Sequence, residues 1–134
     1  MEKSIKENNW AYSLILIARN SKSDFVGMIG LVQNHFVQGN YEIGYQLTEK
    51  SWGKGIATKL SEFSINLAFK ELKAYKIIAD CYSNNIGSIK VMQKIGLEFE
   101  GKQKDFYKIK SKKDDKVLFG LTLSQFKKKK LNIL

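Results

Sequence analysis

Proline is absent from the 134 residues, cysteine and histidine occur once each, and no apolar run is long enough to span a bilayer. Cys81 cannot form an internal bridge, and nothing near it offers metal-ligand spacing, so no disulfide and no metal site is expected. A chain of this length needs neither, because it can bury a hydrophobic core of its own as one domain spanning residues 1–134. Cysteine usage points to a reducing compartment, and the cytoplasm is the expected home. The opening MEKSIKENNW is polar and charged, which argues against a signal peptide or a membrane anchor. The missing proline accompanies an abundance of Lys, Asn and Ile, a bias of base composition more than of fold.

Acidic residues are scarce mainly at the C-terminal end. Residues 1–100 carry 12 basic and 10 acidic groups, whereas residues 101–134 carry 11 basic and 3 acidic. The formal charge of +10 is therefore a C-terminal feature, and Lys127 to Lys130 could attract nucleic acid or acidic partners. Residues 124–134 read more simply as a solvated, partly frayed basic tail. No recognition motif accompanies the charge, so a nucleic-acid-binding module is the weakest of the functional readings.

Tyr12 to Arg19, YSLILIAR, and Phe25 to Gln33, FVGMIGLVQ, are apolar runs around the turn-like NSKSD, which predicts a hairpin. In YEIGYQL, Tyr41, Ile43 and Tyr45 alternate with Glu42, Gly44 and Gln46, the period of a half-buried strand. From Gly55 the period changes: Ile56, Leu60, Phe63 and Leu67 fall on one helical stripe. KIIADCY, Lys76 to Tyr82, has the look of a buried strand, so a strand–helix–strand unit with a right-handed crossover is expected. Asn85 can cap a second helix to Ile95, with Ile89, Met92 and Ile95 on one face and Gly96 closing it. LEFEGKQKDFYKI and KVLFGLTL complete the set as strands separated by KSKKDD. The predicted class is α/β, a mixed, mostly antiparallel sheet with helices on both faces.

The stretch SWGKGIATKL sets two glycines around Lys54 at a helix start. Unpaired amides and the helix dipole make such a place attractive to anions, and glycines permit close approach, so Gly53 to Ala57 could wrap a diphosphate. Neither a Walker loop nor the dinucleotide fingerprint fits, because Lys54 lies between the glycines with no Ser or Thr directly after it, and Thr58 stands at the third glycine position.

Three blocks agree in order and spacing: YEIGYQL with SWGKGIATKL, the NxxS block Asn85 to Ser88, and the KxGLxxEG block Lys94 to Gly101. Together they resemble the GNAT superfamily of acetyl-CoA-dependent N-acetyltransferases over roughly residues 10–123. The resemblance is nearest to the branch typified by ribosomal-protein alanine N-acetyltransferases, which also includes polyamine, amino-sugar and antibiotic acetyltransferases. It implies that Trp52, Gly53, Lys54, Gly55, Ile56, Ala57 and Thr58 hold the pyrophosphate of coenzyme A, with Trp52 where the wider family has Gln or Arg. It also implies a splay at the end of YEIGYQL, where the pantetheine arm pairs with backbone near Tyr45 and Leu47, and an Asn85 bonded to the cofactor. The expected acceptor is a primary amine of a small molecule or of a protein N-terminus.

Acetyl transfer to an amine requires removal of a proton and stabilisation of the leaving thiolate. Glu42, on the strand beside the expected thioester, is the first candidate base; its alternative is a charge on the solvent face of the sheet. His35, Asp105 and Tyr107 rank below it, and Cys81 lacks a histidine to activate it as a nucleophile. Ser88 is the residue that the resemblance sets beside the thioester sulfur. Family members begin with a strand and one or two helices that wall the acceptor site, whereas only MEKSIKENN precedes Trp10 here. The resemblance therefore implies an intact cofactor half and an acceptor half that is reduced, or completed in a homodimer. A noncatalytic coenzyme A-binding domain is the alternative.

Overall fold

The computed structural model describes residues 13–133. Tyr12, Trp10 and the charged opening lie outside the described residues. Six strands form one sheet in the order β1-β2-β3-β4-β6-β5. They are β1 (Ser13–Arg19), β2 (Phe25–Gln33), β3 (Asn40–Leu47), β4 (Lys76–Tyr82), β5 (Glu98–Ile109) and β6 (Lys112–Thr122), and the helices are α1 (Ile56–Lys70), α2 (Ile86–Lys94) and α3 (Leu123–Ile133).

The first hairpin turns where the sequence has NSKSD. Asn20 Oδ1 accepts from the amides of Lys22 and Asp24 at 2.9 and 3.0 Å, the side-chain turn that asparagine favours. Asn34 repeats the device between β2 and β3, accepting from Phe36 and Val37. The β5–β6 turn is tighter than KSKKDD suggests: Ile109 pairs with Lys112, Lys110 takes a φ of 58°, and Lys112 to Asp115 already belong to β6. These polar residues are held in a strand by pairing with β5 rather than by burial, which leaves no hydrophobic alternation to read.

Register puts Ile29, Leu31, Tyr41, Ile43, Ile77, Ala79, Val117, Phe119 and Leu121 on one face of the sheet, where they form the core. All three helices contribute side chains to it: Ile65, Ala68 and Phe69 from α1, Met92 from α2, Leu123 and Phe126 from α3. The sequence predicts helices on both faces; those among the described residues pack on this one. On the other face Ile15, Ile17 and Val32 are 65%, 59% and 51% exposed.

Two readings of the helices are corrected. The buried side of α1 is Ser61, Ser64, Ile65, Ala68 and Phe69, while Phe63 on the expected stripe is 60% exposed. Small residues let the helix lie close to the sheet, and Ser64 satisfies its hydroxyl by donating to the Leu60 carbonyl at 2.9 Å, so a polar residue is at home in the core. Residues 124–134, expected as a loose tail, are instead helical from Leu123 to Ile133. Phe126 stacks on Phe69 at 4.6 Å, and Gln125 and Thr122 exchange hydrogen bonds at the helix start.

Candidate active site

The site begins where β3 and β4 part. Their parallel pairing covers only Asn40↔Lys76, Tyr41↔Ile77 and Glu42↔Ile78, and beyond Glu42 the remaining half of β3 is paired on its β2 side alone. The sequence resemblance implies this splay, and the structure has it. Backbone groups along Ile43 to Leu47 thus have an open edge on which an extended chain can pair.

At the end of β3 the chain makes a short 3-10 turn, Glu49–Ser51, and enters the glycine loop. Thr48 and Ser51 hydroxyls meet at 2.8 Å, and the Trp52 indole donates to the Leu47 carbonyl at 3.2 Å, tying the loop to the strand. Gly53 and Gly55 have φ of 72° and 74°, the left-handed region that favours glycine, and a Cβ at either would meet no protein atom within 4 Å. Gly55 precedes α1, which has no side-chain cap and no acidic residue in its first turn. The first hydrogen bond within the helix runs from Lys59 N to Gly55 O, so the amides of Ile56, Ala57 and Thr58 have no helical partner. This donor set, with the helix dipole behind it, fits a diphosphate.

Facing the loop across the splay is α2. Asn85 caps it, its Oδ1 accepting from Ser88 N at 3.1 Å. The hydroxyl of Tyr45 donates to Ser88 Oγ at 3.3 Å, joining β3 to α2 across 43 residues of sequence. A cleft of about 750 Å³ lies between these elements. Tyr45, Leu47, Trp52, Gly53, Gly55, Ile56, Ala57, Thr58, Asn85 and Ser88 all line it; Lys54, although between the glycines, does not. Gln46, Ser51, Gly87, Lys90, Val91 and Lys94 also line it, and sequence reasoning missed them. The Tyr45–Ser88 contact was beyond reach as well, because it depends on how far β3 and α2 stand apart.

Glu42 sits at the last paired position before the splay and on the opposite face from Tyr41 and Ile43. There it lines a second hollow, of about 290 Å³, with Val32, Gln33, Asn34, His35, Asn40 and Ile78. Two sequence candidates, Glu42 and His35, are thus brought to one place. Asn40 Oδ1 is buried with no hydrogen-bond partner among the described residues. Burial raises the Glu42 carboxyl above its usual value near 4.5, the charge of Asp80 and a hydrogen bond with Asp80 raise it further, and Lys116 pulls it back. Lys116 reaches Asp80 Oδ2 at 3.7 Å. Asp80 had no signal in the sequence, because only the β3–β4 register brings it alongside Glu42.

The remaining candidates lie elsewhere. Tyr107 packs against Tyr82 at 4.0 Å, its phenol pushed up by burial and then by Asp80. Asp105 forms part of a bulge in β5, with φ of 51°, its amide donating to Asp115 Oδ1. Cys81 is buried, and its thiol is pushed up by burial and by Asp80, the reverse of an activated nucleophile. Among the described residues no group of His, Cys, Asp and Glu is placed to hold a metal, and no helix is long and apolar enough to cross a membrane.

Known proteins resemble this chain in sequence and in fold. The curated relatives include the uncharacterized N-acetyltransferase YnaD of Bacillus subtilis, 37% identical over 67 residues, which are 50% of this chain and 39% of that one. The putative ribosomal N-acetyltransferase YdaF of the same organism is 33% identical over 95 residues, 71% of this chain and 52% of that one. The chain thus spans about half, or less, of these relatives' length. Among solved structures, a spermidine N-acetyltransferase SpeG mutant from Vibrio cholerae superposes with a TM-score of 0.79 at 18% identity, covering 93% of this chain and 72% of that one, a likeness of fold. Residues 1–98 match the family described as the acetyltransferase (GNAT) domain, and the chain belongs to that family.

Proposed function

We propose that the protein transfers an acetyl group from acetyl-CoA directly to a primary amine. The carrying observation is the parting of β3 and β4 just beyond Glu42, with the uncapped start of α1 and the Tyr45–Ser88 pair lining one side and the Glu42 hollow on the other. When bound, acetyl-CoA supplies an activated acyl carbon and a thiolate leaving group. The amides of Ile56, Ala57 and Thr58 hold its diphosphate, and the open edge of β3 near Tyr45 and Leu47 pairs with its extended arm. Trp52 keeps the loop in place, while Lys54 adds a positive charge outside the cleft. Asn85 fixes α2 and so the position of Ser88. The hydroxyls of Tyr45 and Ser88 stand where a thiolate needs a donor.

Glu42 takes the proton from the incoming ammonium, directly or through a water. Its raised pKa suits a base, because a carboxyl lifted toward the working pH accepts a proton more readily than an ordinary one. The adjacent carboxylates of Glu42 and Asp80, with an Asn40 Oδ1 that has no partner among the described residues, favour a donor-rich acceptor in spite of the net positive charge of the chain. A small-molecule amine and a protein N-terminus both meet that description. A sequence relative named as a putative ribosomal N-acetyltransferase accords with a protein N-terminus, and a fold neighbour named as a spermidine N-acetyltransferase accords with a small-molecule amine. The ribosomal-protein branch remains the nearer by motif. The lone, buried Cys81 accords with work in a reducing cytoplasm.

The exposed Ile15, Ile17 and Val32 on the acceptor side favour a second reading, in which the chain binds coenzyme A without turnover unless another copy completes the wall. Addition of acetyl-CoA should raise the melting temperature under either reading. Release of free thiol with a panel of amines supports transfer. A thermal shift with no thiol released by any amine overturns transfer, and no shift at all overturns both.

A further inference from the structure

Lys90 and Lys94 have no part in the chemistry above, yet both line the cofactor cleft. They stand four residues apart on α2, one turn above the other, on the side that also presents Gly87 and Val91, while Met92 turns into the core. Among the described residues neither makes an ion pair, whereas Lys76, Lys102, Lys116 and Lys129 each face a carboxylate. Among the described residues no carboxylate lines the cleft.

The common reason for a lysine in a last helical turn is the negative end of the helix itself. That place is already taken, because Lys129 of α3 reaches across and donates to the Gly96 carbonyl at 2.7 Å. The amides of Gly96 and Leu97 bond back to the carbonyls of Gln93 and Met92. Two exposed ammonium groups are therefore held over the cleft with no partner that the fold requires.

We propose that Lys90 and Lys94 together hold the 3′-phosphate on the ribose of coenzyme A, and so select the 3′-phosphorylated cofactor over its dephospho form. The assignment rests on the cofactor reading above. In that reading the amides at the start of α1 are committed to the diphosphate. A phosphomonoester carries a charge of about −1.5 to −2 at neutral pH, which two lysines match. Lys94 lies roughly 9 Å along the helix from Ser88, so the pair acts on binding and leaves the reacting end alone.

The test is calorimetric titration at fixed ionic strength with coenzyme A, 3′-dephospho-coenzyme A, and adenosine 3′,5′-bisphosphate against ADP. The wild type is expected to bind coenzyme A about tenfold or more tightly than the dephospho form, as charge-assisted bonds to one phosphate would give, and to prefer the bisphosphate over ADP. The double variant Lys90→Ala with Lys94→Ala should lose both preferences while its affinity for dephospho-coenzyme A stays within about twofold. Lys90→Arg with Lys94→Arg should keep them. Equal wild-type affinity for coenzyme A and its dephospho form overturns the lysine assignment alone, as does an alanine pair that weakens both ligands equally. Failure of the wild type to bind either form overturns the cofactor reading and this assignment with it.

Discussion

The two sides of the splay between β3 and β4 are built differently. On the cofactor side the site rests on backbone: uncapped amides at the start of α1, an unpaired strand edge, and two glycines in the left-handed region. Side chains there, Trp52, Asn85 and the Tyr45–Ser88 pair, hold these parts in position. On the acceptor side the site rests on charge: Glu42 beside Asp80, Asp80 beside Lys116, and His35 and Asn40 around the same hollow. Backbone donors bind any ligand of the right shape and tolerate change at neighbouring side chains, whereas a carboxyl of tuned pKa depends on one residue and its neighbours. Substitution should therefore separate binding from turnover.

The largest effect is expected from Gly55→Val. A β-branched residue at φ 74° is strained, and its side chain would fill the space beside the α1 amides. Acetyl-CoA affinity by calorimetry should fall roughly a hundredfold or more, the equivalent of losing about two charge-assisted bonds. Next comes Glu42→Gln, which should lower kcat about 10²- to 10³-fold, as removal of a general base does, with acetyl-CoA affinity unchanged. If both quantities fell together, the separation of the two sides would fail.

Glu42→Gln carries a second expectation, of opposite sign for stability. A carboxyl whose pKa is raised on folding contributes stability that is present below its unfolded value and is lost as pH rises through the folded one. At neutral pH the ionised Glu42 is the disfavoured form, so the variant should melt at a higher temperature than wild type there. That advantage should vanish at pH below about 4. Asp80→Asn removes the second cause of the shift, and the acidic limb of the kcat profile should move to lower pH. An unmoved limb would separate Asp80 from the base. The smallest effect is on the cofactor side: Asn85→Ala should cost about 1 kcal/mol of stability by denaturant melting, the usual worth of a helix cap.

The same contrast explains what was legible in the sequence. The alternation of Tyr41, Ile43 and Tyr45, the glycines flanking Lys54, and Asn85 ahead of an apolar helix face are local patterns, each fixed by a period or a backbone angle. Ten of the eleven residues expected at the cofactor line the cleft for that reason, and Lys54, an exposed side chain on a turn, is the exception. The acceptor side was legible only as Glu42 and His35 taken singly. Ile78 and, two residues on, Asp80 join them through strand register, which no local period announces, whereas Asn40 shares the face of Glu42 two residues earlier on β3. The buried face of α1 was misplaced because Ser61 and Ser64 read as polar, and α3 was taken for a tail because four lysines mask Leu123 and Phe126.

Hydrogen exchange read by mass spectrometry, with acetyl-CoA added alone and then with an amine, tests the division between the two sides most directly. The account predicts that acetyl-CoA alone slows exchange in segments 43–58 and 85–94 and leaves 32–42 unchanged until the amine is present. Protection that appears first in 32–42, or that is absent from 53–58, would contradict it.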